Sequence, residues 1–425
     1  MSSKERSPWS WVPTLYFAEG IPYFVVNVIS VTMYKKMGMG NADLALLTSL
    51  LYLPWVIKPL WSPIVDVVRT KRWWILLMQG LITLCFAALA ISIPSKTGLA
   101  VGPFVPSLVI FYMVAMLSAT HDIAADGFYM IALDQHRQSL FVGIRSTFYR
   151  ISSVFGQGII VVIAGLLETR TGNIPLAWQI TLGGCSLLLL LLTVWHHFFL
   201  PSVEKAAPAA LHQRSAAAAV VSFFRKPHLA VALLFMLLFR LPEALSVKML
   251  TPLLLDPVSE GGLALSTAQS GLVYGTVGVI ALTVGGILGG IFAARQGLRK
   301  SLWPMALSLA LPCAVYLYLS AAQPAQLWIV YLCVAFDQFG YGFGFTAYML
   351  YLMYFSEGEY KTSHYAICTA FMALSMMLPG MLAGYLQEWL GYTGFFAVVM
   401  VCCLVTIAVT ALLPGHIDPS YGKKV

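Results

Sequence analysis

The chain has 425 residues, of which 59% are hydrophobic and only 10% charged, and its mean hydropathy is +0.82. A soluble domain is roughly one-quarter charged, so this composition excludes one, and the net charge of +8 is no pointer to nucleic acid. It is the composition of a chain that crosses a bilayer repeatedly.

A hydrocarbon core roughly 30 Å thick takes about 20 consecutive apolar residues to cross. Such stretches recur along the chain and predict an all-α polytopic membrane protein with twelve transmembrane helices. The expected spans are 10–34, 43–67, 72–94, 105–134, 143–167, 177–200, 229–255, 266–294, 300–321, 326–355, 362–388 and 392–414. The first run is long enough to span and lacks a small-residue cleavage site, so it reads as a retained helix. With the N-terminus inside, inner loops and tails take most of the Lys and Arg, including Arg69, Lys71, Arg72, Arg295, Arg299 and Lys300. The outer loops take only Lys35, Lys36, Lys96 and Arg170. That asymmetry predicts both termini in the cytoplasm. The polar connector "SVEKAAPAALHQRSAAAAVVSFFRKPH" divides the chain into a six-helix bundle at 1–200, a cytoplasmic linker at 201–228 and a second bundle at 229–425.

Taken in chain order, the spans carry ionisable groups that are costly at bilayer depth unless paired or hydrated, and each is a functional candidate for that reason. The first has Glu19 beside Gly20 and Pro22, and the second has Lys58. The fourth has His121, Asp122 and Asp126, and the fifth has Arg145 and Arg150. The seventh holds "RLPE", Arg240 to Glu243, and Lys248, while the tenth holds Asp337. Facing lipid this set is prohibitively expensive, so it is expected to line an internal, partly wet cavity.

The two halves repeat. "ATHDIAADGF" from Ala119 lies over "VAFDQFGYGF" from Val334, pairing Asp122 with Asp337 and Gly127 with Gly342. Pro22 likewise corresponds to Pro242. Proline in a helix interior frees a carbonyl, which a membrane tolerates where backbone lines a cavity. Interrupted helices at matching places in two halves point to a transporter's binding site. Glu19, Arg240 and Glu243 are therefore expected to face a solute. The inner loops "SPIVDVVRTKR" and "GIFAARQGLRK" also correspond. They resemble the signature of the major facilitator superfamily in Gly290, Arg295, Gly297, Arg299 and Lys300 and in Asp66, Lys71 and Arg72, although Ala294 and Ser62 depart from it.

Asp122 and Asp126 stand four residues apart on one helix face, about 6 Å along the axis. Two acids so placed tend not to stay ionised together, so one of them can take up and release a proton. Arg150 on the next helix is the expected compensating charge, either holding one acid ionised or forming a structural pair with Asp126. His121 points roughly 100° away from Asp122 and is expected to hydrogen bond a neighbouring helix, with a proton relay as the alternative. No further His or Cys converges by spacing, so no metal site is expected. The seven cysteines all lie in apolar segments and read as packing residues.

These residues together resemble the AmpG-type muropeptide permeases, a branch related to the acetyl-CoA transporters within the major facilitator superfamily. "WVIKPLWSPIVD", "KRWWILLMQ", "SATHDIAADGFYM" and "STFYRISSVFGQG" look like that family's successive signatures, and "YFAEGIPYF" fits its Gly-x-Pro opening. Thr120 and His121 stand where better-known members carry Ser and Gln, and Glu19 is an added acid. The resemblance implies two six-helix bundles working by alternating access and a monomer in the bacterial inner membrane. It also implies proton-coupled import of a polar, anionic solute such as an anhydro-muropeptide for cell-wall recycling. Siderophore or acyl-CoA transport on the same scaffold is the alternative, with a receptor or channel less favoured. In this reading Asp122 and Asp126 carry the proton, and Lys58, Arg150 and Arg240 answer the solute or the acids. Asp66, Arg69, Lys71 and Arg72 latch a gate. No cofactor, catalytic constellation or nucleic-acid partner is implied.

Overall fold

The computed structural model of the chain describes residues 7–133, 135–202, 216–358, 360–419 and 421. Among them the regular structure is helical. The long helical spans are α1 (Pro8–Lys36), α2 (Asn41–Leu60), α3 (Lys71–Ser92), α4 (Gly102–Ala132), α5 (135–171), α6 (Ile174–Phe199), α7 (Leu229–Leu255), α8 (Thr267–Gln296), α9 (Leu298–Ala322) and α10 (Leu327–Ser356). A final run, Lys361–Ala411, divides at Gly391 (φ 68°, ψ 173°) into α11 (361–390) and α12 (392–411). The twelve spans fall where the hydropathy pattern puts them.

The chain packs as two compact units. One is Met1–Met39 with Ile57–His212, and the other is Gly40–Val56 with Gln213–Val425. The first part of α2 thus belongs by its contacts with the C-terminal helices, which the sequence does not lead one to expect. The reason lies in α11, where "GMLAG" places Gly380 and Gly384 one helical turn apart. A Cβ at Gly384 would sit 2.0 Å from the Asn41 carbonyl oxygen, and one at Gly380 would sit 2.6 Å from Ser49 Oγ. Small residues on one stripe let two helix backbones meet in a membrane, where dispersion and not water exclusion drives association. Part of the expected linker is also ordered: Ala216–Phe224 is a helix whose fully buried Phe223 packs on Phe355 and Phe371.

In the first unit, α1 and α5 approach through Gly20, which faces Ser152, and Gly156, which faces Phe24. In the second, α8 and α10 meet through Gly285, Gly289 and Gly342, and α9 meets α10 through Gly340 and Gly344. These close approaches fix the helices that carry the charged residues.

The proline positions act differently in the two halves. Pro22 does not break α1; the helix continues and widens into a π-helical turn at Val25–Ile29. Similar wide turns occur at Phe155–Ile160 in α5 and Gly271–Gly278 in α8. In α7 the helix does break: Leu229–Leu238 ends, Arg240 leaves helical geometry, and Leu241–Leu255 restarts with Pro242 in its first turn, where a missing N–H costs nothing. The region 43–67, read from sequence as one helix, is broken into short pieces carrying Pro54, Pro59 and Pro63.

The signature glycine between α8 and α9 has a conformational cause. Gly297 adopts φ 79°, ψ 161°, a region open essentially to glycine alone, where another residue costs of order 1–3 kcal/mol. Gly297→Ala is therefore expected to lower unfolding stability by about 2 kcal/mol, read as a lower Tm of the purified protein. An unchanged Tm would remove this account of the signature.

Candidate functional site

Each unit carries its own cluster of polar and charged side chains, partly exposed in the first and buried in the second. In the first, α1 contributes Tyr16 and Glu19, α4 contributes Asp122 and Asp126, α5 contributes Arg145, and the C-terminal end of α2 contributes Lys58. The charged groups that act most strongly on Glu19 are Asp126, Asp122, Arg145 and Lys58, so the sequence candidates do converge. Arg145 Nη2 lies 2.7 Å from Asp126 Oδ1, and the Tyr16 hydroxyl donates to the same oxygen at 3.3 Å. The guanidinium also stacks over the Tyr16 ring at 4.5 Å and lies 5.3 Å from the Tyr129 ring. The cation facing Asp126 is therefore Arg145, and not Arg150, which is half-buried farther along α5. Five residues on a helix turn through about 500°, so the two arginines cannot share a face. Glu19 is 8% exposed, and its Oε2 has no hydrogen-bond partner among the described residues.

His121 faces away from the acids. It is 1% exposed and opens a buried chain across four helices: His121 Nε2 to Gln79 Nε2 at 3.0 Å, Gln79 Oε1 to His196 Nδ1 at 2.9 Å, and His196 Nε2 to Thr14 Oγ1 at 3.0 Å. This is the neighbouring-helix hydrogen bond expected from its direction. Gln79 and His196 carry no periodic signal that would single them out in the sequence.

At the loop between α2 and α3, Lys71 is buried and its ammonium donates to the Val65 carbonyl at 3.1 Å, while its stem lies against Gly127 of α4. Arg72 donates to the His197 carbonyl at 2.7 Å and to Ser202 Oγ at 3.2 Å, tying α3 to the end of α6. Arg69 is exposed with φ 62°. The Asp66 side chain lies outside the described residues. The loop is thus anchored to α4 and α6 by its cations.

In the second unit, the break in α7 presents Arg240 and Glu243 to each other as a bidentate pair. Arg240 Nε donates to Glu243 Oε2 at 2.8 Å and Nη2 to Oε1 at 2.6 Å, with Nη2 also reaching the Tyr341 hydroxyl at 3.1 Å. Both side chains are about 6% exposed, and Phe345 caps the guanidinium at 4.7 Å. Asp337 is buried in α10 and accepts from Tyr316 at 2.6 Å and Gln338 at 3.1 Å. Its charged neighbour is Glu243, and among the described residues no cation acts on it. A narrow cavity lined by Glu243, Ser246, Tyr316, Asp337 and Tyr341 separates the two acids.

With this geometry in view, comparison with known proteins settles the family. The sequence matches the Major Facilitator Superfamily over residues 14–362. The chain belongs to this superfamily. It is 24% identical over 425 residues to "Putative transporter AmpG 4" of Rickettsia conorii, covering 95% of this chain and 96% of that protein. It is 25% identical over 410 residues to "Anhydromuropeptide permease" of Escherichia coli K12, covering 95% of this chain and 77% of that one. Among solved structures, a point mutant of the nucleoside transporter NupG superposes with a TM-score of 0.72 at 13% identity, over 96% of this chain and 99% of that one. The D-xylose-proton symporter superposes at 0.68 and 12% identity over 98% of both chains. At such identities the structural likeness shows the fold alone. As a superfamily member with AmpG-type relatives, the protein is a multi-pass membrane transporter for a small-molecule substrate.

Proposed function

We propose that the protein is a proton-coupled importer of an anionic sugar-peptide of the anhydro-muropeptide class. In this proposal it sits as a monomer in the bacterial inner membrane with both termini cytoplasmic. The observation that carries the proton reading is the placing of Glu19: it is 8% exposed, its Oε2 has no hydrogen-bond partner among the described residues, and Asp122 and Asp126 lie near it. Acids brought together in this way tend not to stay ionised together, so Glu19 and its neighbour Asp122 are the groups that exchange the proton, while Asp126 is held by Arg145. Asp337 is a second acid on which no cation acts among the described residues, and it supports the same reading in the other half. The substrate class rests on the AmpG-type relatives, and the inner loop with Arg69, Lys71 and Arg72 serves as the latch.

Purified protein in proteoliposomes is expected to concentrate anhydro-muropeptide only when an inward proton gradient is imposed. Equal accumulation without the gradient would remove proton coupling. Asp122→Asn is expected to reduce gradient-driven accumulation to background, roughly 100-fold by loss of the proton-carrying group, while leaving solute exchange. Normal concentrative uptake by this variant would refute the role of Asp122.

A further inference from the structure

In the second unit one buried charge has no counter-charge among the described residues and takes no part in the clusters described above. Lys248 of α7 is 4% exposed. Its ammonium donates to Thr48 Oγ1 at 3.0 Å and lies 5.3 Å from the Tyr52 ring centroid. Among the described residues no carboxylate acts on it. An ammonium has three donors, and one of them is used among the described residues. The Thr48 hydroxyl in turn donates to the Leu44 carbonyl at 2.6 Å. Beside this group Ser49 is fully buried, and its hydroxyl has no partner among the described residues. The two side chains converge on Gly380, where a Cβ would sit 2.6 Å from Ser49 Oγ and 3.2 Å from the Lys248 stem. The other cation on α7, Arg240, is fully engaged by Glu243.

A lone buried ammonium is expensive, and in a membrane span it is retained where it meets a ligand. We propose that Lys248, with the Ser49 hydroxyl, receives an oxyanionic group of the transported solute, which replaces Thr48 as the acceptor. This rests on the reading that the solute is anionic. Seven residues from the end of α7, Lys248 lies about 10 Å along the helix from Leu255. At that end, Asn41 Nδ2 is 2.7 Å from Gln387 Oε1, 3.0 Å from the Tyr392 hydroxyl and 3.3 Å from Asp256 Oδ2. This polar layer covers the site within the unit.

The test uses the full-length protein and Lys248→Met, which keeps the stem and removes the charge; its folding is expected to survive, because an uncompensated buried ion is replaced by an apolar group. Thermal unfolding is followed in sodium acetate or inorganic phosphate against chloride at matched ionic strength. Wild type is expected to gain several degrees in acetate or in phosphate, the two arms separating carboxylate from phosphate recognition. Lys248→Met is expected to lose the gain and Lys248→Arg to keep part of it. Equal shifts in wild type and Lys248→Met, or no shift in wild type, overturn the proposal. In proteoliposomes, Lys248→Met is expected to raise the KM for an anhydro-muropeptide with free carboxylates about tenfold or more, the size of one charge-assisted hydrogen bond. The KM for the carboxyl-methylated form should change less than twofold. If wild type takes up neither form, the muropeptide reading fails, while the anion arm still decides the role of Lys248.

Discussion

Replacing Arg240 by methionine is expected to destabilise the protein by about 3–5 kcal/mol, the cost of stranding one member of a buried ion pair. The Arg240–Glu243 contact is bidentate and both side chains are nearly inaccessible, so the stranded Glu243 loses the one cation that pairs with it among the described residues. The informative comparison is the double variant Arg240→Met with Glu243→Leu. Taking two charges out of water costs about as much as their attraction returns, and apolar replacement of a whole pair is often neutral. Unfolding of the purified protein should therefore show a large loss for the single change and recovery of most of it in the double. A single variant as stable as wild type would mean that the pair is not enclosed. Transport need not recover with stability, because the pair also fixes the geometry at the break in α7.

The second large effect concerns the contact between α8 and α10. At Gly342 a Cβ would lie 2.0 Å from the Leu282 carbonyl oxygen and 3.0 Å from the Gly286 nitrogen, both backbone atoms that cannot rotate away. Gly342→Val is expected to force the helices apart and cost about 3 kcal/mol or more, at the upper end for overpacking. Gly290 on α8 has nothing within 4 Å of its added Cβ. Gly290→Ala should therefore stabilise slightly, by up to about 1 kcal/mol, through helix propensity alone. A loss at Gly290 as large as that at Gly342 would remove the close-packing account, since helix propensity favours both replacements over glycine.

These sites show which parts of the molecule sequence could reveal. Hydropathy placed the spans, since burial in lipid imposes one rule on every crossing residue. The gathering of Glu19, Lys58, Asp122 and Asp126 was legible because intramembrane charge is costly enough to be kept together and away from lipid. Arg240 and Glu243 were legible through Pro242. The partner of Asp126 was not: Arg145 and Arg150 are equally basic and sit on the same helix, and only the rotation of α5 against α4 selects between them. The π-helical turns add to this, since each departs from the 3.6-residue period on which a helical wheel depends. The chain from His121 through Gln79 to His196 makes its two steps between residues 42 and 117 positions apart, on three helices, so no local pattern announces it. The docking of α2 on Gly380 and Gly384 had a visible trace in "GMLAG", but the small-residue stripe did not say which helix it would receive.

The enclosed pair on α7 also has an electrical consequence. Arg240 and Glu243 are joined within one turn, so any displacement of that segment carries their opposite charges together and does no net work against the membrane voltage. Lys248, eight residues from Arg240 on the same helix, is different: moving one elementary charge through the full potential is worth about 2.3 kcal/mol per 100 mV. A displacement of α7 would therefore couple to the membrane voltage through a charged Lys248 and not through the Arg240–Glu243 pair.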